Sequence, residues 1–226
     1  MNIMVVQLYT HHIKNIGAIS ETNIKKYCED KGYQYKCFYD SLDSKRHPAW
    51  SKIKAVQWAL DQDDIDWVWW IDADAFVANN TITLEEIINT YARNDIDIIF
   101  ADQKYRKKPN TGSFLVRNTE YSKSFLNTIY NDTTDEIKFN RSCCWEQDAI
   151  TTLLTGHRHD NAEENIIANT TIFDKIIMIK NNIFNSVKHE NCDKLNTYNN
   201  GDFIIHFAGG NTTSYIIKTL KNLKII

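Results

Sequence analysis

The stretch Val68-Trp69-Trp70-Ile71-Asp72-Ala73-Asp74 constrains this chain more than any other. Four consecutive apolar residues suit a buried strand, but two aspartates one residue apart do not suit a core. An isolated buried carboxylate is strongly unfavourable unless it is paired or metal-bound. The strand therefore ends at Asp72 and delivers both carboxylates to something positive. Two carboxylates at a strand's end can share a hard cation such as Mg2+ or Mn2+. Such a cation typically bridges a nucleotide's diphosphate and neutralises charge on the leaving group. A bare Asp-x-Asp is more often a solvated turn, and the preceding Trp-Trp-Ile is what sets this one apart.

The rest of the chain reads as strands alternating with helices. Strands are expected at Ile3–Leu8, Tyr33–Asp40, Trp67–Asp72, Ile96–Ala101, Ser113–Arg117, Ile176–Ile179 and Phe203–Phe207. Helices are expected at Ser20–Lys31 (closed by Gly32), from Pro48 to Leu60, at Glu120–Tyr130 and at Glu146–Leu154 (closed by Gly156). Thr83 and Glu86 form a capping box before Leu84, Ile87, Ile88 and Tyr91, which follow at helical spacing. This alternation predicts a Rossmann-like three-layer α/β/α fold with a mostly parallel central sheet. The 226 residues suffice for one sizeable core, so a single domain over residues 1–226 is expected. Ligands in such folds bind beyond the carboxyl ends of strands. That puts Tyr9, Thr10, Asp72, Asp74 and His206 on one rim.

Composition narrows the class. A net charge of −3 argues against a nucleic-acid partner, which would require a basic face. No apolar run approaches the ~20 residues of a transmembrane segment. The start, Met-Asn-Ile-Met-Val-Val, reads as a strand and not as a signal peptide. Five cysteines without framework spacing (Cys28, Cys37, Cys143, Cys144, Cys192) point to reduced thiols and a cytoplasmic location.

Four further segments carry residues with chemical potential. Lys52 and Lys54, between His47 and Leu60, can each face a diphosphate or one of the aspartates. Asn110-Thr111-Gly112 reads as a turn entering a strand, with the glycine allowing close approach of a ligand. Glu146, Gln147 and Asp148 lie at one helix mouth beside Trp145, where acids also suit the helix dipole. His206 interrupts an apolar run and is followed by Gly209 and Gly210, which suit close approach to phosphate. A lone histidine in such a run is commonly a satisfied core residue; through a neutral ring nitrogen it can also be a third metal ligand.

Together and in order, His47-Pro-Ala-Trp-Ser-Lys-Ile, Trp69-Trp-Ile-Asp-Ala-Asp-Ala-Phe, Asn110-Thr-Gly-Ser-Phe-Leu-Val-Arg-Asn, Glu146-Gln-Asp-Ala-Ile-Thr-Thr-Leu-Leu and Ile204-Ile-His-Phe-Ala-Gly-Gly resemble glycosyltransferase family 34. That family holds fungal α-galactosyl- and mannosyltransferases and plant xyloglucan α-xylosyltransferases. The resemblance implies a GT-A fold, a nucleoside diphosphate sugar donor, a glycan acceptor, Mn2+ dependence (with Mg2+ as the alternative) and retention of anomeric configuration. It implies that Asp72, Asp74 and His206 hold the metal. Lys52, Asn110, Thr111 and Gly112 would line the site, with Gly209 and Gly210 beside the phosphates. Glu146 and Gln147 would stand beside the transferred sugar, and Tyr9 and Thr10 at the base and ribose. The family often carries a lysine shortly after the His-Phe-x-Gly segment. Gly210-Asn211-Thr212 stands there in this chain, which leaves the phosphates to the metal, Lys52 or Lys218.

The expected reaction is transfer of a hexose or pentose from a UDP-sugar, or from GDP-mannose, to a glycan hydroxyl. Retention calls either for a carboxylate nucleophile, with Glu146 and Asp148 as candidates, or for attack on the face of departure, with Gln147 orienting. The second is preferred. The alternatives are a nucleotide-sugar binding module without catalysis and a metal-dependent phosphohydrolase. Against the latter, Phe76 stands where haloacid dehalogenase-type phosphatases carry Thr or Val.

Overall fold

A computed structural model describes residues 1–93, 95–103, 106–131, 144–156 and 175–226; the side chains of residues 106 and 107 are outside that description, as is Cys143. Cys28, Cys37 and Cys192 are free thiols. No helix among the described residues is long and apolar enough to cross a membrane.

The central sheet contains β1 (Ile3–Leu8), β2 (Gln34–Phe38), β3 (Trp67–Ile71), β5 (Ile98–Gln103), β6 (Arg106–Arg117) and β7 (Ile176–Ile179), in the order β2-β1-β3-β6-β5-β7. β1 pairs in parallel with β2 and β3, and β5 with β7. β6 runs antiparallel to both β3 and β5. The sheet is thus mostly parallel, with one reversed strand inserted at its centre.

Both faces of the sheet are covered, which explains the continuous apolar run in β3. Val68 and Trp70 pack into the cluster formed with α2 (Ser51–Leu60), α4 (Glu120–Asn131) and α5 (Trp145–Thr155). Trp67, Trp69 and Ile71 point into the opposite cluster, with α1 (Lys14–Lys31) and α3 (Leu84–Tyr91). Thr83 caps α3 through the reciprocal capping box expected from its spacing with Glu86. Helix α1 begins at Lys14, ahead of the expected Ser20. Its Gly17 packs under the Tyr9 ring, where a Cβ would lie 2.7 Å from Cδ1.

A second, smaller sheet pairs β4 (Ala75–Val77), β9 (Ile204–His206) and β8 (Ser186–Val187), in the order β4-β9-β8. β4 follows Asp74 within one residue, and β9 ends in His206. The small sheet therefore brings the last residue of a distant strand back to the Asp-x-Asp turn. Asn110-Thr111-Gly112 is not a turn before a strand but lies inside the long β6. Phe114 pairs with Phe100, and Asn110 with the next residue, Ala101, so Thr111–Ser113 bulge away from β5. A bulge of this kind re-aims side chains, and here it directs them toward the end of β3. The final helix, α6 (Thr213–Asn222), is capped by Thr212; a single helical turn at Asn181–Phe184 precedes β8.

Candidate active site

Asp72, Asp74 and His206 converge. One ligand atom from each lies within 4.8 Å of the others, and His206 Nε2 is 3.2 Å from Asp74 Oδ1. Asp72 emerges directly from β3 with its N–H donated to the Gly112 carbonyl at 2.7 Å, and its Oδ1 accepts from Trp70 Nε1 at 2.7 Å. The second tryptophan of the Trp-Trp-Ile run thus orients the carboxylate that follows it. Asp74 is tied to β9 by its carbonyl, which accepts from Phe207 N–H.

A chain of side-chain hydrogen bonds fixes the imidazole behind this triad. Gly112 N–H donates to Asn110 Oδ1 at 2.9 Å, so that atom is the amide oxygen. Asn185 must then present its Nδ2 to the same oxygen, at 2.5 Å, and its Oδ1 to His206 Nδ1, at 2.8 Å. His206 Nδ1 therefore carries a proton, and Nε2 is the atom aimed at Asp74. This is the arrangement of a metal-ligating histidine, whose second ring nitrogen donates to an outer acceptor. Two carboxylates and one imidazole suit Mn2+ or a related divalent ion. Burial disfavours the charged imidazole, but Asp74 and then Asp72 outweigh it and hold the His206 pKa above its ordinary value. A bound cation would replace that proton on Nε2.

The glycine at 112 serves this histidine. A Cβ there would fall on His206 Cε1 and lie 2.7 Å from Nδ1. The close approach anticipated at Gly112 is real, but it is the imidazole that approaches.

Lys52 lies beneath the triad with 5% exposure. Its Nζ is 3.1 Å from Asp72 Oδ1 and 2.8 Å from Glu146 Oε1, and it donates to the Thr111 carbonyl at 2.9 Å. Burial alone would push the ammonium toward neutrality; Asp72 and Glu146 outweigh it and raise the pKa, so Lys52 is charged. Lys54 instead sits over the Tyr130 ring, 4.0 Å from its centroid. Thr111 closes the network, donating through N–H to Gln147 Oε1 at 2.9 Å and through Oγ1 to Glu146 Oε1 at 2.9 Å.

These groups line one cleft of about 790 Å3 with Tyr9, Thr10, Asn110 and Gly209. Tyr9 is held by its hydroxyl, which donates to Glu21 Oε2 at 2.7 Å. Not every expected residue is placed there. Asp148 is 1% exposed and does not line the cleft, because one residue beyond Gln147 the helix turns it away from the rim. Gly210 shares the left-handed backbone of Gly209 (φ 70° and 74°) but is likewise off the cleft. Lys218 is exposed on α6 and also lies outside it.

The site also draws on His47, Asn185 and His189, to which sequence reasoning gave no role. The His47 ring stacks on Trp145 with centroids 3.7 Å apart and planes 1° apart. Burial lowers the His47 pKa, which favours the neutral ring. Trp145 is a non-glycine residue at φ 38°, a strained position from which Glu146 and Gln147 enter the site. Asn185 and His189 carried no signal, being single polar residues in an Asn-rich stretch.

The model of the galactosyl transferase GMA12/MNN10 family matches residues 3–95 and 85–215 of the chain. A probable xyloglucan 6-xylosyltransferase 3 from Arabidopsis thaliana is 30% identical over 107 residues, which cover 44% of this chain and 23% of that protein. The match thus spans less than a quarter of the relative's length. A glycosyltransferase involved in glycosylation of the major capsid of PBCV-1 superimposes with a TM-score of 0.72 at 14% identity, over 100% of both chains. A Drosophila β-1,4-galactosyltransferase 7 mutant, in complex with manganese, UDP-Gal and xylobiose, gives 0.50 at 11% identity over 92% of this chain and 72% of its own. The fold these structures share with the chain is GT-A.

Proposed function

The chain belongs to the galactosyl transferase GMA12/MNN10 family, and from that premise we propose that it is a glycosyltransferase that moves a sugar from a nucleoside diphosphate donor to a glycan hydroxyl with retention, in a Mn2+-dependent reaction. A UDP-sugar is the favoured donor, with GDP-mannose as the alternative. The observation that carries this reading is the convergence of Asp72, Asp74 and His206 on a cleft, with the Nδ1 proton of His206 committed to Asn185. The Drosophila neighbour's complex with manganese and UDP-Gal lends support from the shared fold.

Asp72, Asp74 and His206 would hold the cation, which when bound neutralises charge on the departing diphosphate. Tyr9 and Thr10, at the end of β1, would receive the nucleoside. Trp70 and Lys52 keep the Asp72 carboxylate in place, so that little reorganisation accompanies charge development. Retention by attack on the face of departure is favoured by the state of the carboxylates. Glu146 Oε1 is taken up by Lys52 and Thr111, and its Oε2 is buried from the cleft without a partner among the described residues. Asp148 is off the cleft. Gln147, held by Thr111, would orient the acceptor or the transferred sugar.

The test is incubation with Mn2+ and UDP-galactose, UDP-glucose, UDP-xylose or GDP-mannose, each with and without oligosaccharide acceptors. Nucleotide release and product anomeric configuration would be followed by NMR. Metal-dependent transfer of one sugar with an unchanged anomer supports the reading. Inversion would remove the retaining part; binding of donor with neither hydrolysis nor transfer would leave a binding module.

A further inference from the structure

His189 is the residue the mechanism above leaves unused. It lines the cleft, and its position follows from strand register. β8 pairs in parallel with β9, with Val187 opposite His206, and Lys188 N–H continues the ladder to the His206 carbonyl at 2.8 Å. Continued two residues, the same register puts His189 beside Ala208, about 7 Å along from His206 at a rise of roughly 3.3 Å per residue. Ala208 and Gly209 line the cleft with it.

The tautomer of His189 is also fixed. Nδ1 accepts the Asn191 N–H at 3.1 Å, so in the neutral ring the proton is on Nε2. Nε2 stands over Gly209, where a Cβ would be 3.9 Å away, and makes no hydrogen bond among the described residues; the nearby Glu190 carboxylate, which feels the His189 charge, accepts from Thr212 instead. The nitrogen groups that touch the Asp72 and Asp74 carboxylates from Lys52 and His206 are already engaged. Lys52 Nζ is divided among Asp72, Glu146 and Thr111, and His206 uses both ring nitrogens.

Topology says which part of a donor His189 would meet. Tyr9 packs on α1, which lies on the β4 side of the small sheet, whereas His189 follows β8 on the other side of β9. A nucleoside at Tyr9 and a cation at Asp72, Asp74 and His206 leave the terminal phosphate nearest to His189. We propose that His189 Nε2–H is a positioning donor for the terminal phosphate of the nucleoside diphosphate. This rests on the donor reading above and adds to it a residue that distinguishes a diphosphate from a monophosphate.

The experiment is calorimetric titration of UDP, GDP, UMP and GMP, with Mn2+ present, into the wild type, His189→Ala and His189→Gln. Mn2+ alone is titrated as a control. The wild type is expected to bind one of the diphosphates. His189→Ala should weaken that diphosphate by about tenfold, the loss of one hydrogen bond to a charged group. Binding of the monophosphate and of Mn2+ should be unchanged. His189→Gln, which retains an N–H donor, should recover most of the loss. Equal diphosphate affinity in His189→Ala and the wild type would overturn the proposal while leaving the donor reading intact. A parallel loss of monophosphate or Mn2+ binding would overturn it in favour of a structural role. A wild type that binds none of the nucleotides would overturn both.

Discussion

Asn185 holds His206 in a single tautomer, its Oδ1 accepting the Nδ1 proton across 2.8 Å. The amide cannot flip without facing its oxygen to Asn110 Oδ1, itself held as an acceptor by Gly112 N–H. Backbone geometry in the β6 bulge is thereby transmitted through two amides to the metal-facing nitrogen. Outer partners of this kind are worth 10- to 100-fold in metal affinity. Asn185→Leu is expected to weaken Mn2+ binding by roughly that factor. Calorimetric titration of the wild type and variant with Mn2+ checks it, and equal affinities would show that the relay does not govern the site.

Removing a ligand should have a simpler effect. A cation that binds the native state raises its melting temperature by mass action. Asp74→Ala is expected to abolish the shift produced by Mn2+ with nucleotide, while the melting temperature without metal changes little, because Asp74 is part-exposed and among the described residues its carboxylate pairs with His206. A thermal-shift series across Mn2+ concentrations measures both quantities.

Gly112→Ala tests the packing around His206. The new methyl would collide with the buried His206 ring, and overpacking of this kind costs about 1–3 kcal/mol. The variant should melt lower than the wild type and respond less to Mn2+. Gly209→Ala is the comparison: its methyl has room, and only the left-handed φ of 74° is strained, at about 1 kcal/mol. If both variants lose the Mn2+ response equally, contact with His206 is not the reason for the glycine.

Much of this architecture was legible because it rests on local patterns. The apolar runs at Ile3–Leu8 and Trp67–Ile71 and the Thr83–Glu86 capping box each carry their own signal. What was not legible depends on distant partners. β4 and β8 have three and two residues, and only pairing with β9 makes them strands. Asn110–Gly112 has turn composition, yet the register of β3 draws it into β6 as a bulge. The choice between Lys52 and Lys54 needed the orientation of α2, and Asp148 needed that of α5. The last helix was not anticipated, although Thr212 caps it and Ile216 and Leu220 stand four residues apart on its buried face.

Acid should act through Asp43. Its carboxylate accepts from the Tyr130 hydroxyl and from Lys45 N–H, and lies 3.5 Å from Arg46. Tyr130's hydrogen bond is the largest influence; burial opposes it, and Lys45 and Arg46 reinforce it, leaving the pKa below its ordinary 3.8. A depressed carboxyl pKa contributes stability that is complete above the unfolded value and is lost as pH falls through the folded one. Asp43→Asn should therefore be less stable than the wild type at neutral pH, by about 1–2 kcal/mol. The gap should narrow below pH 3.8. Urea unfolding at several pH values measures it, and a gap independent of pH would exclude the carboxylate as the cause.

Lys52 gives the most demanding prediction, because it separates stability from catalysis. The ammonium lies between Asp72 and Glu146, and the Glu146 side chain is only 4% exposed. Asp72 can turn to solvent or metal when Lys52 is removed; Glu146 cannot, and Thr111 Oγ1 would be its main remaining donor. Breaking a buried ion pair by deleting one partner typically costs 3–5 kcal/mol, because the other charge stays buried. Lys52→Met is thus expected to lose about that much stability. Adding Glu146→Gln removes the stranded charge and should restore most of the loss. Activity should not return with it, since Asp72 would still lack the cation that holds Oδ1 in place. Denaturant unfolding of the two single variants and the double variant decides the matter. If the double variant is no more stable than Lys52→Met, the buried Glu146 charge is not what makes Lys52 necessary to the fold.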